Sequence, residues 1–171
     1  AYVMMAWRIA YFKVYYPLAY YATFFSIRAK AFSYEKMCQG REKLEMSIKE
    51  ITSKSKEEQT AVEQDSLRDM KLVQEMYARG FEFLPLDIFV ADDVKFQIME
   101  GKIMPSLVTI DGLGDKAATA LKEAAKNGPF LSKDDLKERA KISATVADKM
   151  QELGLLGDIP ESNQLSFVFD V

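Results

Sequence analysis

Gly112 and Gly114, one residue apart and followed by Asp115, Lys116 and Ala117, are the residues of this sequence best placed to bind something through the backbone itself. Glycine has no Cβ, so a chain carrying two of them can turn tightly at positive φ and bring its N–H groups close to an anion. A helix starting just after the second glycine adds its unpaired first amides and the positive end of its dipole. Phosphate is the anion such a corner suits, with Lys116 as the nearest cation. Contacts of this kind reach backbone phosphates of nucleic acid and carry no base information. The candidate contact residues are therefore Gly112, Leu113, Gly114, Asp115, Lys116 and Ala117.

Bond-making chemistry finds much less support. The sequence has 0 His, which removes the commonest general base and metal ligand together. Asp92-Asp93 and Asp134-Asp135 are adjacent carboxylate pairs, the type polymerising enzymes place on paired magnesium ions. Both fall where turn or helix-cap chemistry already explains them, so no catalytic residue and no metal ligand is assigned. Cys38 is the 1 Cys of the chain, which excludes an internal disulfide and fits a reducing cytoplasm. Net charge is −3, so nucleic acid would have to be held by local geometry rather than by a broadly basic surface.

The elements that must position the glycine turn are legible around it. Leu113 is expected to plug inward between the glycines, and small Ala118 lets two helices pack closely, with Ile110 and Leu121 completing the apolar set. Together these residues make a helix-hairpin-helix pattern. A weaker second unit follows. Gly128-Pro129-Phe130 ends one helix, and Ser132 with Asp135 three residues later starts another over Lys133 to Arg139. Lys141-Ile142-Ser143 is then a turn, with Ser143 capping a helix from Ala144 to Leu153 that Gly154 closes. This unit lacks the glycines. It serves either as packing support for the first hairpin or as a second DNA contact, in which case Lys141 and Lys149 are the candidates.

Further out, residues 1–32 are apolar on nearly every helical face, with Trp7, Tyr11, Phe12, Tyr15, Tyr20, Phe24 and Phe25, and Pro17 marks a break between two helices. Arg8, Lys13, Pro17 and Arg28 interrupt this run well short of the roughly 20 apolar residues a bilayer requires, so no membrane is expected. Such a segment should be buried against other parts of a larger protein, and the absence of an initiator Met at Ala1 suggests that the chain begins inside one. From 33 to 80 the composition turns to charge, and Leu44, Ile48 and Ile51, then Val62, Leu67, Met70, Val73 and Tyr77, predict a helical hairpin with one apolar stripe per helix. Between 81 and 110 the period shortens towards two, predicting short strands around 86–90, 94–99 and 102–104. The expected fold is mainly α with a small β element (α+β). It divides into a helical segment at 1–31, a charged helical connector at 32–80, the β element at 81–104, a helix-hairpin-helix domain at 105–157 and a flexible tail at 158–171.

The order of these features resembles the C-terminal region of PolC-type bacterial DNA polymerase III. Tyr2 to Ala29, with Arg8-Ile9-Ala10-Tyr11-Phe12-Lys13 and Tyr16-Pro17, is similar to the end of its fingers region. Arg79-Gly80-Phe81 with Leu84-Pro85-Leu86-Asp87-Ile88 resembles the segment before its duplex-binding domain. Gly112-Leu113-Gly114, Gly128-Pro129-Phe130 and a tail with Gln164, Leu165, Phe167 and Phe169 follow in the same order. The tail resembles the peptide that bacterial replication proteins insert into the sliding clamp, Gln164 supplying amide hydrogen bonds and the three apolar residues filling pockets. Phe167-Val168-Phe169 departs from the Leu-Phe ending more usual there. The resemblance implies part of a DNA-directed DNA polymerase, a nucleotidyltransferase, that binds double-stranded primer-template DNA and the clamp in the cytoplasm and packs against the rest of the polymerase chain. No cofactor is implied in this segment; magnesium and the catalytic carboxylates belong upstream. Two other readings fit the hairpin alone: the DNA-binding end of a different helix-hairpin-helix repair protein, which the fingers-like segment disfavours, and a protein-interaction scaffold.

Overall fold

The structure is a computed structural model that describes residues 1–29 and 31–162. It begins with α1 (Tyr2–Tyr15) and α2 (Pro17–Ile27), broken where Pro17 occupies the first position of α2. No residue of α1 is buried; Tyr2 is 89% and Trp7 71% exposed, so its apolar face has no cover among the described residues. The helix is fastened at its C-terminal end, where Lys13 pairs with Glu75 at 2.8 Å and the Arg79 guanidinium donates to the Lys13 carbonyl at 3.2 Å.

Next come the short α3 (Tyr34–Met37), then α4 (Arg41–Thr52) and α5 (Ala61–Ala78), which pack together as the expected helical hairpin. Thr60 and Glu63 form a reciprocal capping box at the start of α5. Leu44 and Ile51 of α4 and Met70, Val73 and Met76 of α5 meet Tyr21 and Phe25 of α2 in a first core. Phe25, Phe32, Phe83 and Phe96 interlock there with ring centroids between 5.0 and 5.9 Å for most pairs. Val62, expected on the buried stripe, is 69% exposed. It precedes Leu67 by five positions, which turns it about 140° away around the helix.

The β element is smaller than the alternating sequence suggested. Strands β1 (Gln97–Met99) and β2 (Lys102–Met104) form one antiparallel hairpin in the register Gln97↔Met104, closed by Glu100 and Gly101 at φ 53° and 74°. No strand forms over 86–90. The Asp87 carboxylate and carbonyl instead accept from the amides of Phe89 and Ala91, both at 2.8 Å, and the chain turns. Leu86 and Ile88 are nonetheless buried. The strand expected from 94 starts only at 97, because the Asp92 carboxylate holds the Val94 and Lys95 amides in another turn.

After a 3-10 turn at Leu107–Thr109, helices α6 (Asp115–Lys126), α7 (Lys133–Ala140) and α8 (Ala144–Glu152) complete the chain's described elements. Leu107, Ile110, Leu113, Leu121, Leu136 and Met150 centre a second core. The four residues of α3 bridge the two: Tyr34 belongs to the second core and Met37 to the first. Pro160 and Glu161, expected within the tail, are docked, their carbonyls accepting from the amides of Lys133 and Asp134 at the start of α7.

Candidate nucleic-acid interface

The first turn is built by its apolar neighbours. Ile110 and Leu113 are buried, and the Leu113 amide donates to the Ile110 carbonyl at 3.0 Å, which closes the corner. Gly112 lies at φ +88°, a conformation side chains strain to adopt. A Cβ there would also stand 3.3 Å from Cγ2 of Val146 on α8, so the turn is backed by the last helix. Gly114 differs from the expectation. Its φ is −75° with ψ 166°, an ordinary extended N-cap conformation, and a Cβ there would meet nothing within 4 Å. The positive φ belongs to Gly112 alone; what the second glycine leaves is open space in front of α6.

That space is lined by donors. Ala118 N–H donates to the Gly114 carbonyl at 2.9 Å, so the amides of Asp115, Lys116 and Ala117 are the ones ahead of the helical ladder. Among the described residues they meet no acceptor, and Gly114 offers no side chain to cap them. Lys116 is exposed and Ala117 half-buried, while Ala118 and Leu121 are fully buried against the core, as the pattern required. The unmet donors leave this helix end with the partial positive charge of its dipole.

The second turn repeats the first in backbone and differs in side chains. Lys141 lies at φ 54°, Ile142 is buried, and Ser143 has φ −73° and ψ 157°, close to Gly114. Ala147 and Met150 take the buried places that Ala118 and Leu121 hold in α6. Here Ser143 Oγ accepts from the Val146 amide at 3.3 Å, so one donor of this helix end is already used. Lys141 is exposed. Lys149 faces inward along α8 to Glu35 at 2.9 Å and Asp111 at 3.6 Å. Lys149 holds the Glu35 carboxyl below its ordinary range, and Glu35 in turn raises the Lys149 ammonium.

Several residues that hold the interface escaped the sequence reading. Arg139 donates to the carbonyls of Ala124, Gly128 and Pro129, pairs with Asp135 at 3.1 Å and lies over the Phe130 ring at 4.6 Å, closing the end of α6. Lys122 binds Asp92 at 2.7 Å and Asp93 at 3.0 Å, fixing α6 to the β element. No sequence signal joins residues thirty apart in this way; only the turn role of the acidic pair was visible. Those carboxylates pair with Lys122, and Asp134 and Asp135 pair with Lys137 and Arg139. Among the described residues no group of three or more potential ligands could hold a metal ion. Gln164, Leu165, Phe167 and Phe169 lie outside the described residues.

Two helical hairpins thus share one apolar core, and the first of them has an open, glycine-lined helix end. The helix-hairpin-helix motif family matches residues 80–165, half of the sequence, and the chain belongs to that family. Over its whole length it is also similar to PolC-type DNA polymerase III. It is 43% identical to that protein of Streptococcus pyogenes serotype M5 (strain Manfredo) over 171 residues, 99% of this chain and 12% of the relative. With the corresponding protein of Streptococcus suis (strain 98HAH33) it is 45% identical over 172 residues, 100% of this chain and again 12% of the relative. The chain thus spans about an eighth of the length of the relatives it matches. No described helix is long and apolar enough to cross a membrane.

Proposed function

We propose that this chain serves a PolC-type DNA polymerase III as its duplex grip and clamp tether, acting in the cytoplasm. The open end of α6 behind Gly112-Leu113-Gly114 is the observation that carries the reading. The amides of residues 115–117 and the Lys116 ammonium hold a backbone phosphate of primer-template DNA, and Lys141 supplies a weaker outlying contact. Residues 1–31 are the end of the fingers, and the uncovered aromatic face of α1 is the surface on which the rest of the polymerase packs. Residues 32–80 and 81–104 connect fingers to grip, residues 105–157 form the grip, and the tail from 158 carries the clamp peptide. Nucleotidyl transfer and its magnesium ions belong to parts of the polymerase outside this chain.

The grip is tested by titrating blunt duplex DNA at several salt concentrations. Lys116→Ala should weaken binding equally on all sequences and lower the salt slope by about one unit. An unchanged slope removes the phosphate contact and leaves the hairpin a structural corner. For the tether, deleting 164–171 from the full-length polymerase should abolish stimulation by the sliding clamp while leaving short-gap filling nearly intact. A peptide of this length binds at about micromolar strength after meeting its own ordering cost, and DNA held by the hairpin raises its effective concentration at the clamp. Full clamp-dependent processivity after the deletion would refute the tether.

A further inference from the structure

Asp111 stands immediately before the phosphate-facing turn, where an unopposed carboxylate would repel the phosphate. It is not unopposed. Ser33 Oγ–H donates to Asp111 Oδ2 at 2.7 Å, and the Lys149 ammonium lies 3.6 Å from the same oxygen. Lys149 is itself held by Glu35 at 2.9 Å, and Lys43 flanks Glu35 at 3.7 Å. Ser33 is 5% exposed and also accepts from the Lys36 amide, so the hydroxyl that grips Asp111 is the one that caps α3. Three distant parts of the chain therefore meet behind the turn: the start of α3, Asp111 and α8.

We propose that Ser33, Glu35, Asp111 and Lys149 form a latch that positions the Gly112 turn for DNA and ties it to the helices at the start of the chain. These are positioning residues, acting through the turn rather than on the phosphate. Lys149 neutralises Asp111 and is pinned by Glu35; α8 supports the turn at two points, through Lys149 and through Val146 beneath Gly112. Met37 of α3 packs in the same core as Tyr21 and Phe25 of α2, so the position of α2 and the position of the turn are joined through α3. Tyr34 strengthens the joint, its hydroxyl accepting from the buried Leu86 amide at 3.1 Å.

The latch makes a prediction opposite in sign to simple charge attraction. Removing a negative charge near DNA should strengthen binding if only the overall field matters. The latch requires Glu35→Gln to weaken it, because Lys149 then loses its anchor. The inference rests on the duplex-grip reading above, and the experiment separates the two. Full-length chain is titrated with blunt duplex DNA across a range of salt, comparing the parent with Glu35→Gln, Lys149→Met, the double variant, the uncharged change Ser33→Ala, and Lys116→Ala. Expected are about two- to fivefold losses for Glu35→Gln and Lys149→Met, the scale a partly exposed ion pair transmits, with unchanged salt slopes. The double variant should lose no more than either single change, and Ser33→Ala should weaken binding without altering any charge. Equal or tighter binding by Glu35→Gln, or a slope lowered by about one unit in Lys149→Met, overturns the latch and makes Lys149 a direct phosphate ligand. If Lys116→Ala leaves the slope unchanged, the grip itself fails and the latch falls with it. Thermal melting of each variant separates loss of fold from loss of positioning, and Ser33→Ala carries the test if a charge variant melts early.

Discussion

At Gly112-Leu113-Gly114 and Lys141-Ile142-Ser143 the chain takes almost the same path twice, through a residue at positive φ, a buried aliphatic plug and an extended N-cap. The two turns part in what they leave exposed. In the first, glycine at the N-cap leaves the helix end open; in the second, a serine hydroxyl fills the equivalent place and binds an amide itself. One backbone design thus ends in an open helix end or in a self-satisfied corner, and at the N-cap a single hydroxymethyl group separates them. Packing demands the aliphatic plug in both. Glycine at the first N-cap leaves the exposed amides of α6 to water or to a ligand.

The comparison is broken most severely at the positive-φ positions. Gly112→Val puts a β-branched side chain in a left-handed conformation and against Val146, and should cost about 3 kcal/mol, with duplex binding falling at least about tenfold. Lys141→Gly is the mirror experiment. Glycine is at ease where lysine is strained, so the melting point should hold or rise, by no more than about 1 kcal/mol of stability. Urea unfolding of the two variants checks both; a Gly112→Val protein as stable as the parent would show that the turn has another low-energy path.

A smaller and more selective change converts the first turn into the second. Gly114→Ser is at an ordinary backbone conformation in open space, and its hydroxyl should cap the Ala117 amide as Ser143 caps Val146. Stability should rise by a few tenths of a kcal/mol while duplex affinity falls about tenfold, the loss expected when a charge-assisted hydrogen bond is displaced. Stability and binding moving in opposite directions would be hard to obtain from a merely structural hairpin. Unchanged affinity would place the phosphate elsewhere. The reverse variant, Ser143→Gly, sharpens the contrast: improved binding would show that the second helix end needs only to be uncapped.

How much of this was legible in the sequence follows from the range of the interactions. The helix breaks at Pro17 and Gly80, the caps at Ser132 and Ser143 and the inward Leu113 are set by neighbours a few residues away, and the structure has them where the pattern put them. The strand at 86–90 failed because alternation reports which side chains are buried, and a turn pinned by Asp87 buries Leu86 and Ile88 as well as a ladder would. Gly114 was assigned a positive φ because glycine permits one, yet permission is not requirement. Lys149 was a candidate DNA contact of the second hairpin, and in the structure it pairs within the chain. Its partners, Glu35 and Asp111, are far away in sequence, and no local pattern could pair them.

The two hairpins also differ in how they are fastened, and acid should release them in order. α6 is tied by Lys122 to Asp92 and Asp93, and α8 by Lys149 to Glu35 and Asp111. Lys122 holds the Asp93 carboxyl far below its ordinary 3.8, and Lys149 holds Glu35 below its ordinary 4.5. A carboxyl depressed in the folded state contributes stability that is complete above its unfolded value and is lost as pH falls through its folded value. Loss at α8 should therefore begin near pH 4.5 and loss at α6 only below 3.8, continuing to lower pH because Asp93 is held further down. Both effects should be small, since all these side chains are partly exposed and solvent screens them. The measurement is the melting temperature of the parent, Glu35→Gln and Asp93→Asn between about pH 7 and pH 3. Relative to the parent, the deficit of Glu35→Gln should stay constant above about pH 5.5 and shrink first on acidification, with that of Asp93→Asn persisting to lower pH. A deficit that grows in acid, or the reverse order, would mean that these pairs do not fasten the helices they bridge.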